Sequence, residues 1–344
     1  MCLTQAATVA ELKRVPWVAL ILGPTWPTCD FPLWALSSRS LGPTLNRFSY
    51  WLAFRLLWAA EKKHIAPWRA SLGLPPLPPG GLSPAVIAAA RTPVLVACSR
   101  LWCGPAQARP SDYPPEVLLT GFLLPPANAE PLEPALAAFV AAGGGGRGGG
   151  GSGGGGARGG SRAPLVCLGF GSMAAPDPAA LACLAAAALR LVPARGVLLA
   201  GWSTSVDVAA ASPELAAALA DGTLFCALSA PHAALLPLCD AVVHHAGVGT
   251  CGASLAAGCP CVPCPCMVDQ PHNSAVLVRL GVAPRALPLA GLTPEALAAS
   301  LREAVGEPRY RQAADRCAAV VAAEAAAGQP VLVEAVEGAR SNWM

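Results

Sequence analysis

The chain has 344 residues, enough for two ordinary domains, and 54% of them are hydrophobic, so a sizeable core can be buried even though much of that share is alanine. The net charge of +3 has no contiguous basic run behind it, which leaves no electrostatic case for nucleic acid as a partner. Fourteen cysteines in a chain this long fit reduced intracellular thiols better than a disulfide scaffold.

In chain order, the first legible segment is Val15 to Leu22, apolar and preceded by Lys13 and Arg14. Pro16 and the lack of a small-residue cleavage site argue against a signal peptide. The run predicts a buried strand, so the chain opens almost at once on a strand. Asn46 to His64 predicts a long helix rich in Trp, Leu and Phe, and Val94 to Ala97 and Val117 to Thr120 predict short strands. No segment gives the roughly 18 apolar residues and flanks of a membrane span. The expectation is a cytoplasmic protein, with peripheral membrane contact left open.

Gly143 to Gly160 holds 14 of the 35 glycines, so it is a local insertion rather than a property of the whole chain. It predicts a flexible linker, because such text cannot bury enough surface to offset its ordering entropy. Residues 1–130 are expected as a partial first domain, 131–163 as the linker, 164–327 as a second domain, and 328–344 as a tail that returns to the first.

Beyond the tract the text turns regular. Leu165 to Leu168, Gly196 to Ala200, Thr223 to Ala227, Ala241 to His244 and Cys261 to Cys264 predict buried strands between alanine- and leucine-rich helices. Asp177-Pro178, Ser212-Pro213 and Thr293-Pro294 each pair a capping oxygen with a proline suited to a first helical position. Strands alternating with helices imply an α/β fold with a parallel sheet, whose ligands bind beyond the carboxyl ends of the strands.

The most informative stretch is Ala241-Val-Val-His-His-Ala-Gly-Val-Gly-Thr250, a strand that turns through glycines into a helix. Unpaired backbone N–H groups at a helix start attract phosphate. Gly247 and Gly249 permit close approach, Thr250 adds a hydroxyl, and an imidazole N–H of His245 can reach a phosphate oxygen. His244 reads better as the end of a strand. Asp269-Gln270 can hold adjacent sugar hydroxyls, the acid accepting and the amide donating, and Asp269 can also simply cap a helix. Gly169-Phe-Gly171-Ser172 is a second small turn with a hydroxyl at a strand end. Trp202 offers an aromatic face to a base, and Pro231-His232 brings a loop backbone to a base edge.

Two rival readings stay open. Gly247-Val-Gly-Thr-Cys-Gly252 also satisfies GxGxxG, with Asp269 near the offset of a ribose-binding acid, as in an NAD-binding oxidoreductase. Against this, the fingerprint normally follows the first strand of its domain. The cysteines 251, 259, 261, 264 and 266 look metal-like but lack the paired CxxC arrangement of a zinc site, and buried small hydrophobes are the better reading.

With these residues in hand, the sequence resembles the sterol 3-beta-glucosyltransferases of glycosyltransferase family 1 and the related macrolide and antibiotic glycosyltransferases. The resemblance rests on His244-His245-Ala246-Gly247-Val248-Gly249-Thr250, Gly258-Cys259-Pro260 and Asp269-Gln270-Pro271. Pro24 to Thr28, Phe31-Pro32, Asp112 to Pro114 and Thr120 to Phe122 follow in family order upstream. It implies the GT-B fold of two facing Rossmann-like domains, UDP-glucose as donor, inversion at the sugar carbon, and no metal or other cofactor.

By that likeness His245, Gly249 and Thr250 hold the diphosphate, Ser172 helps close the site, Asp269 and Gln270 hold glucose hydroxyls, and Trp202 and His232 meet the uracil. The acceptor implied is a sterol or other hydrophobic molecule, with Trp26, Phe31, Trp34, Trp51, Phe54 and Trp58 as cleft or ordinary core. Three features depart from the pattern. Ala246 and Val248 replace smaller residues, Met267-Val268 stands where an aromatic-glycine step is expected, and the start of the acceptor domain, with its catalytic base, is not recognisable. None of Asp30, His64 or Asp112 replaces that base convincingly. The implied chain binds UDP-sugar and transfers slowly, or is a non-catalytic remnant.

Overall fold

The computed structural model describes residues 2–37, 39–126, 130–143, 163–170, 178–201 and 212–341. The glycine tract beyond residue 143, and Asp177, lie outside them. The chain divides into two compact units, residues 1–123 with 323–344, and residues 124–322.

In the first unit, α1 (Cys2–Lys13) precedes β1 (Ala19–Ile21), α2 (Pro43–Ser71), α3 (Pro84–Ala89), β2 (Val94–Val96), a 3-10 turn (Arg100–Trp102) and β3 (Val117–Leu119). The three strands form one parallel sheet in the order β1-β2-β3. The predicted opening strand is thus shortened to its last residues, and a helix stands before it. This helix does not meet α2 through an apolar stripe. Thr4 donates to Glu61 (3.1 Å), while the buried Arg69 donates to Thr8 (3.1 Å) and Glu11 (2.8 Å). Residues 4, 8 and 11 share one helical face, so the stripe is polar and leaves no hydrophobic period to read. α2 runs beyond the predicted His64 and through Pro67.

The second unit opens with α4 (Pro134–Ala142), where a linker is expected. Glu133 caps it by accepting from the N–H groups of Ala135 and Leu136. Phe139 holds it to the sheet: its ring lies 5.3 Å from that of Phe225, and the Arg195 guanidinium lies 4.0 Å from its centroid and donates to its carbonyl. Then follow β4 (Leu165–Gly169), α5 (Pro178–Arg190), β5 (Arg195–Leu199), α6 (Pro213–Ala220), β6 (Leu224–Ala227), α7 (His232–Leu235), β7 (Ala241–His244), α8 (Val248–Ala256), β8 (Cys261–Pro263), α9 (Gln270–Arg279), α10 (Pro294–Gly306) and α11 (Pro308–Ser341). Ser212 and Thr293 accept from the N–H groups of Leu215 and Ala296, as their capping pattern predicts.

Among the described residues this unit has five strands, all parallel, in the order β6-β5-β4-β7-β8. Chain order runs outward from β4 through β5 to β6, then returns to β7 on the other side. The topological switch point therefore lies between β4 and β7, where ligands of such sheets bind. Val166, Leu168, Val243 and Val262 join α5 and α10 in a core of branched residues and alanine. α11 starts on this unit through Tyr310, Ala314 and Cys317 and ends within the first unit, where Glu324 accepts from the Arg100 N–H (3.0 Å). Among the described residues α11 alone is long and apolar enough to cross a membrane by length and composition, which the sequence reading did not anticipate.

Candidate nucleotide-sugar site

The register aligns Ala227, Leu199, Gly169, His244 and Pro263 in one row across the sheet. Five strands thus end together, and the predicted turns follow just beyond that row. A cavity of about 310 Å³ opens there, between Gly169, Gly201, Ser229, His232 and Thr250. Its walls come from the ends of β4, β5 and β6 and the first turn of α8.

At the end of β7 the two histidines have different tasks. His244 is fully buried, and its Nδ1 accepts the Ala246 N–H at 3.0 Å. Burial first, then the neighbouring His245 and His232, push its pKa from 6.5 down to about 3. It is therefore a neutral imidazole that braces the turn, as the strand-end reading has it. Ala246 takes φ 63° there, in the left-handed region. His245 lies over Gly247: a Cβ on that glycine would meet His245 Nε2. The lack of a side chain at Gly247 thus leaves room for the imidazole. Burial lowers the pKa of His245, with Asp269 opposing, and its Nδ1 has no hydrogen-bond partner among the described residues.

Helix α8 begins at Val248 with no side chain capping it. Its first N–H groups therefore keep the donor capacity that a phosphate can take up. A Cβ on Gly249 would meet nothing within 4 Å, so that position borders open space.

The Asp269-Gln270 pair is built differently from its sequence reading. Asp269 stands at the start of α9, but its side chain makes no capping bond. Its Oδ2 accepts from Asn273 Nδ2 at 2.9 Å. The buried Gln270 turns its Oε1 onto the N–H groups of Cys266 (2.9 Å) and Met267 (3.1 Å). That oxygen stabilises the loop. Asn273 was missed by the sequence reading. It also donates to the Ala246 carbonyl at 2.9 Å and so ties the two loops together. The signal is its i, i+4 spacing from Asp269 on one helical face.

Gly171, Ser172 and Trp202 lie outside the described residues. His232 lines the cavity, with its pKa lowered by burial. Cys251, Cys259, Cys261 and Cys264 are buried thiols and Cys266 is exposed. Among the described residues no cluster of three or more His, Cys, Asp or Glu could hold a metal.

In the first unit a cavity of about 600 Å³ is lined by Trp26, Trp51, Phe54, Arg47 and Arg55, while Phe31 and Trp34 are not on its wall. Asp112 borders it but accepts from the Thr28 hydroxyl (2.6 Å) and the Cys29 N–H (2.8 Å). Burial pushes its carboxyl up, and these bonds outweigh that and hold it low. Asp30 accepts from Ser111 through both oxygens. His64 is exposed.

Residues 206–337 match the family described as erythromycin biosynthesis protein CIII-like, C-terminal domain. Over 326 residues the chain is 31% identical to the O-mycaminosyltylonolide 6-deoxyallosyltransferase of Streptomyces fradiae, covering 94% of this chain and 68% of that protein. The chain belongs to glycosyltransferase family 1. It is also 28% identical over 299 residues to a sterol 3-beta-glucosyltransferase of Arabidopsis thaliana, covering 86% of this chain but only 42% of that relative. Among solved structures, the glycosyltransferase of kitacinnamycin superposes with a TM-score of 0.60 at 19% identity, over 98% of this chain and 74% of its own. The glycosyltransferase VinC, solved in complex with dTDP, gives 0.53 at 20%, over 97% and 69%. The fold is GT-B. The GxGxxG stretch follows the fourth strand of its sheet in chain order, and the family membership removes the ground for an oxidoreductase.

Proposed function

We propose that this glycosyltransferase holds a nucleoside diphosphate sugar, UDP-glucose in the first instance, at the carboxyl edge of the β4–β8 sheet. Its hexose passes with inversion to a hydroxyl of an apolar acceptor of the sterol or macrolide kind. The observation that carries this reading is the cavity beyond the aligned strand ends, closed on one side by the uncapped start of α8.

In this reading the acceptor oxygen attacks the anomeric carbon as its bond to the diphosphate breaks. The proton passes to a base, and charge develops on the leaving diphosphate. The N–H groups and dipole of α8, with His245 and Thr250, stabilise that charge where it appears, so the proposal requires no metal. Asp269 accepts from a sugar hydroxyl and the Gln270 amide donates to one. His232 borders the nucleobase, with Gly171, Ser172 and Trp202 contributing from the segments that follow β4 and β5.

Two names among the relatives bear on the substrates: one acts on O-mycaminosyltylonolide and the other on a sterol. Together with the dTDP complex of VinC, they make UDP against dTDP the first comparison to run. Calorimetric titration with UDP, dTDP and NADH tests the donor site. Binding of NADH and of neither nucleoside diphosphate would defeat the proposal. His245→Ala should weaken nucleotide binding by about 1.5–3 kcal/mol, the worth of a charge-assisted hydrogen bond.

The catalytic base is unassigned. Asp30 and Asp112 spend their oxygens on Ser111, Thr28 and Cys29, which favours a second reading in which donor binding outlasts rapid transfer. A missing general base costs roughly 10²–10⁴-fold in rate. UDP release from UDP-glucose with a sterol or macrolide acceptor, at about 1 s⁻¹ or faster, would refute slow transfer.

A further inference from the structure

The net charge of +3 conceals an asymmetry: residues 31–111 carry nine Lys and Arg against a single acidic residue, Glu61. Much of this excess is presented by α2. Leu45, Phe48, Trp51, Arg55, Leu56, Lys62 and Lys63 fall on one face at helical spacing, and all are exposed. Phe48 and Trp51 are 48% and 55% exposed, although a stacked aromatic pair would ordinarily be buried. Their rings stack at 5.3 Å, and the Arg55 guanidinium lies 5.7 Å from the Trp51 ring. Glu61 lies on a different side of the helix, where Thr4 of α1 donates to it. The exposed face thus combines an apolar-aromatic half with cations and has no acid of its own.

We propose that this face of α2 docks on an anionic lipid bilayer. Leucine, phenylalanine and tryptophan enter the boundary between headgroups and acyl chains, while Arg55, Lys62 and Lys63 reach the headgroup phosphates and carboxylates. Charge complementarity selects this partner, and the apolar half separates it from a purely electrostatic one such as nucleic acid. The 600 Å³ cavity is lined from the same helix by Trp51, Phe54 and Arg55, so a docked chain can take an apolar acceptor from the bilayer. That last step rests on the proposed function; the docking does not.

The test is co-sedimentation of the full chain with vesicles of phosphatidylcholine alone and of phosphatidylcholine with phosphatidylserine, at low and high salt. UDP binding is measured on every variant as a separate readout, so that failure of the glycosyltransferase reading and failure of docking are told apart. The expected result is binding to the anionic vesicles that falls as salt rises. Arg55→Glu with Lys62→Glu and Lys63→Glu should weaken it on the order of a hundredfold. Phe48→Ser with Trp51→Ser should abolish it while the far-UV spectrum stays unchanged.

Four outcomes overturn the proposal. The chain does not bind the anionic vesicles; the α2 variants bind as well as the parent, which would move the contact to α11 or elsewhere; Phe48→Ser with Trp51→Ser merely turns a dimer into a monomer; or the cations bind an oligonucleotide and no vesicle.

Discussion

The turns after β7 and β8 stand side by side at the edge of one sheet, and each forces a residue other than glycine into left-handed backbone. After β7 it is Ala246, φ 63°, with no exposed surface; after β8 it is Val268, φ 53°, 73% exposed. The first is gripped on both sides, its N–H by His244 Nδ1 and its carbonyl by Asn273. The second is held from before, through the N–H groups of Cys266 and Met267 on Gln270. A left-handed conformation costs an L-residue roughly 1–2 kcal/mol and a branched side chain more. The pair shows how that cost is met beside a binding site: buried hydrogen bonds over-determine one turn, and a single amide oxygen organises the other. Ala246 and Val268 are also where the sequence departs from its family pattern, and the backbone gives the reason small residues are expected there.

Removing the braces should loosen the first turn. His244→Ala takes away the acceptor of the buried Ala246 N–H and leaves a hole, and should cost about 3 kcal/mol in denaturant unfolding. A loss below about 0.5 kcal/mol would show that the turn holds itself. Asn273→Ala removes the buried bond to the Ala246 carbonyl that joins the loops and the part-buried bond to Asp269, and should cost about 2 kcal/mol, with weaker UDP binding by calorimetry.

Acidification probes the same brace. The folded pKa of His244, about 3, lies below its ordinary 6.5. Between those values the unfolded chain binds a proton that the folded chain refuses. Stability is therefore full above about pH 6.5 and falls as pH drops towards 3, by up to about 1.4 kcal/mol per pH unit from this group. Unfolding measured across that window should show a shallower slope in His244→Ala; equal slopes would assign the dependence to other groups. The smallest effect is at the exposed turn. Val268→Gly should raise stability by up to about 1 kcal/mol, since relief of strain exceeds the added freedom of the unfolded chain. Destabilisation would mean that the valine side chain makes a contact worth more than its strain.

The second sheet was legible because its strands are short apolar runs bounded by glycine, proline and capping residues. β4 to β8 start and end within one residue of their expected bounds. The first unit was harder to read. α1 docks through Thr4, Thr8 and Glu11, so it has no hydrophobic period, and α4 is apolar all round and abuts the glycine tract. The strand–turn–helix pattern singles out His245, Gly249, Thr250 and Asp269, and the structure places them just after β7 and at the starts of α8 and α9. The turn of Gln270 towards its own loop, and the bridge made by Asn273, depend on how β7 and β8 sit side by side, which no local pattern encodes.

In the proposed function a diphosphate rests on the uncapped start of α8. At Gly249 a side chain enters open space. An acidic residue in the first turn of a helix is favourable to folding, yet it would occupy the phosphate position with like charge. Calorimetric titration of Gly249→Glu with UDP and dTDP should therefore show melting at or above the parent temperature and nucleotide affinity lowered by at least about tenfold, or 1.4 kcal/mol. A variant that melts normally and binds the nucleotide as tightly as the parent would show that the diphosphate does not rest there.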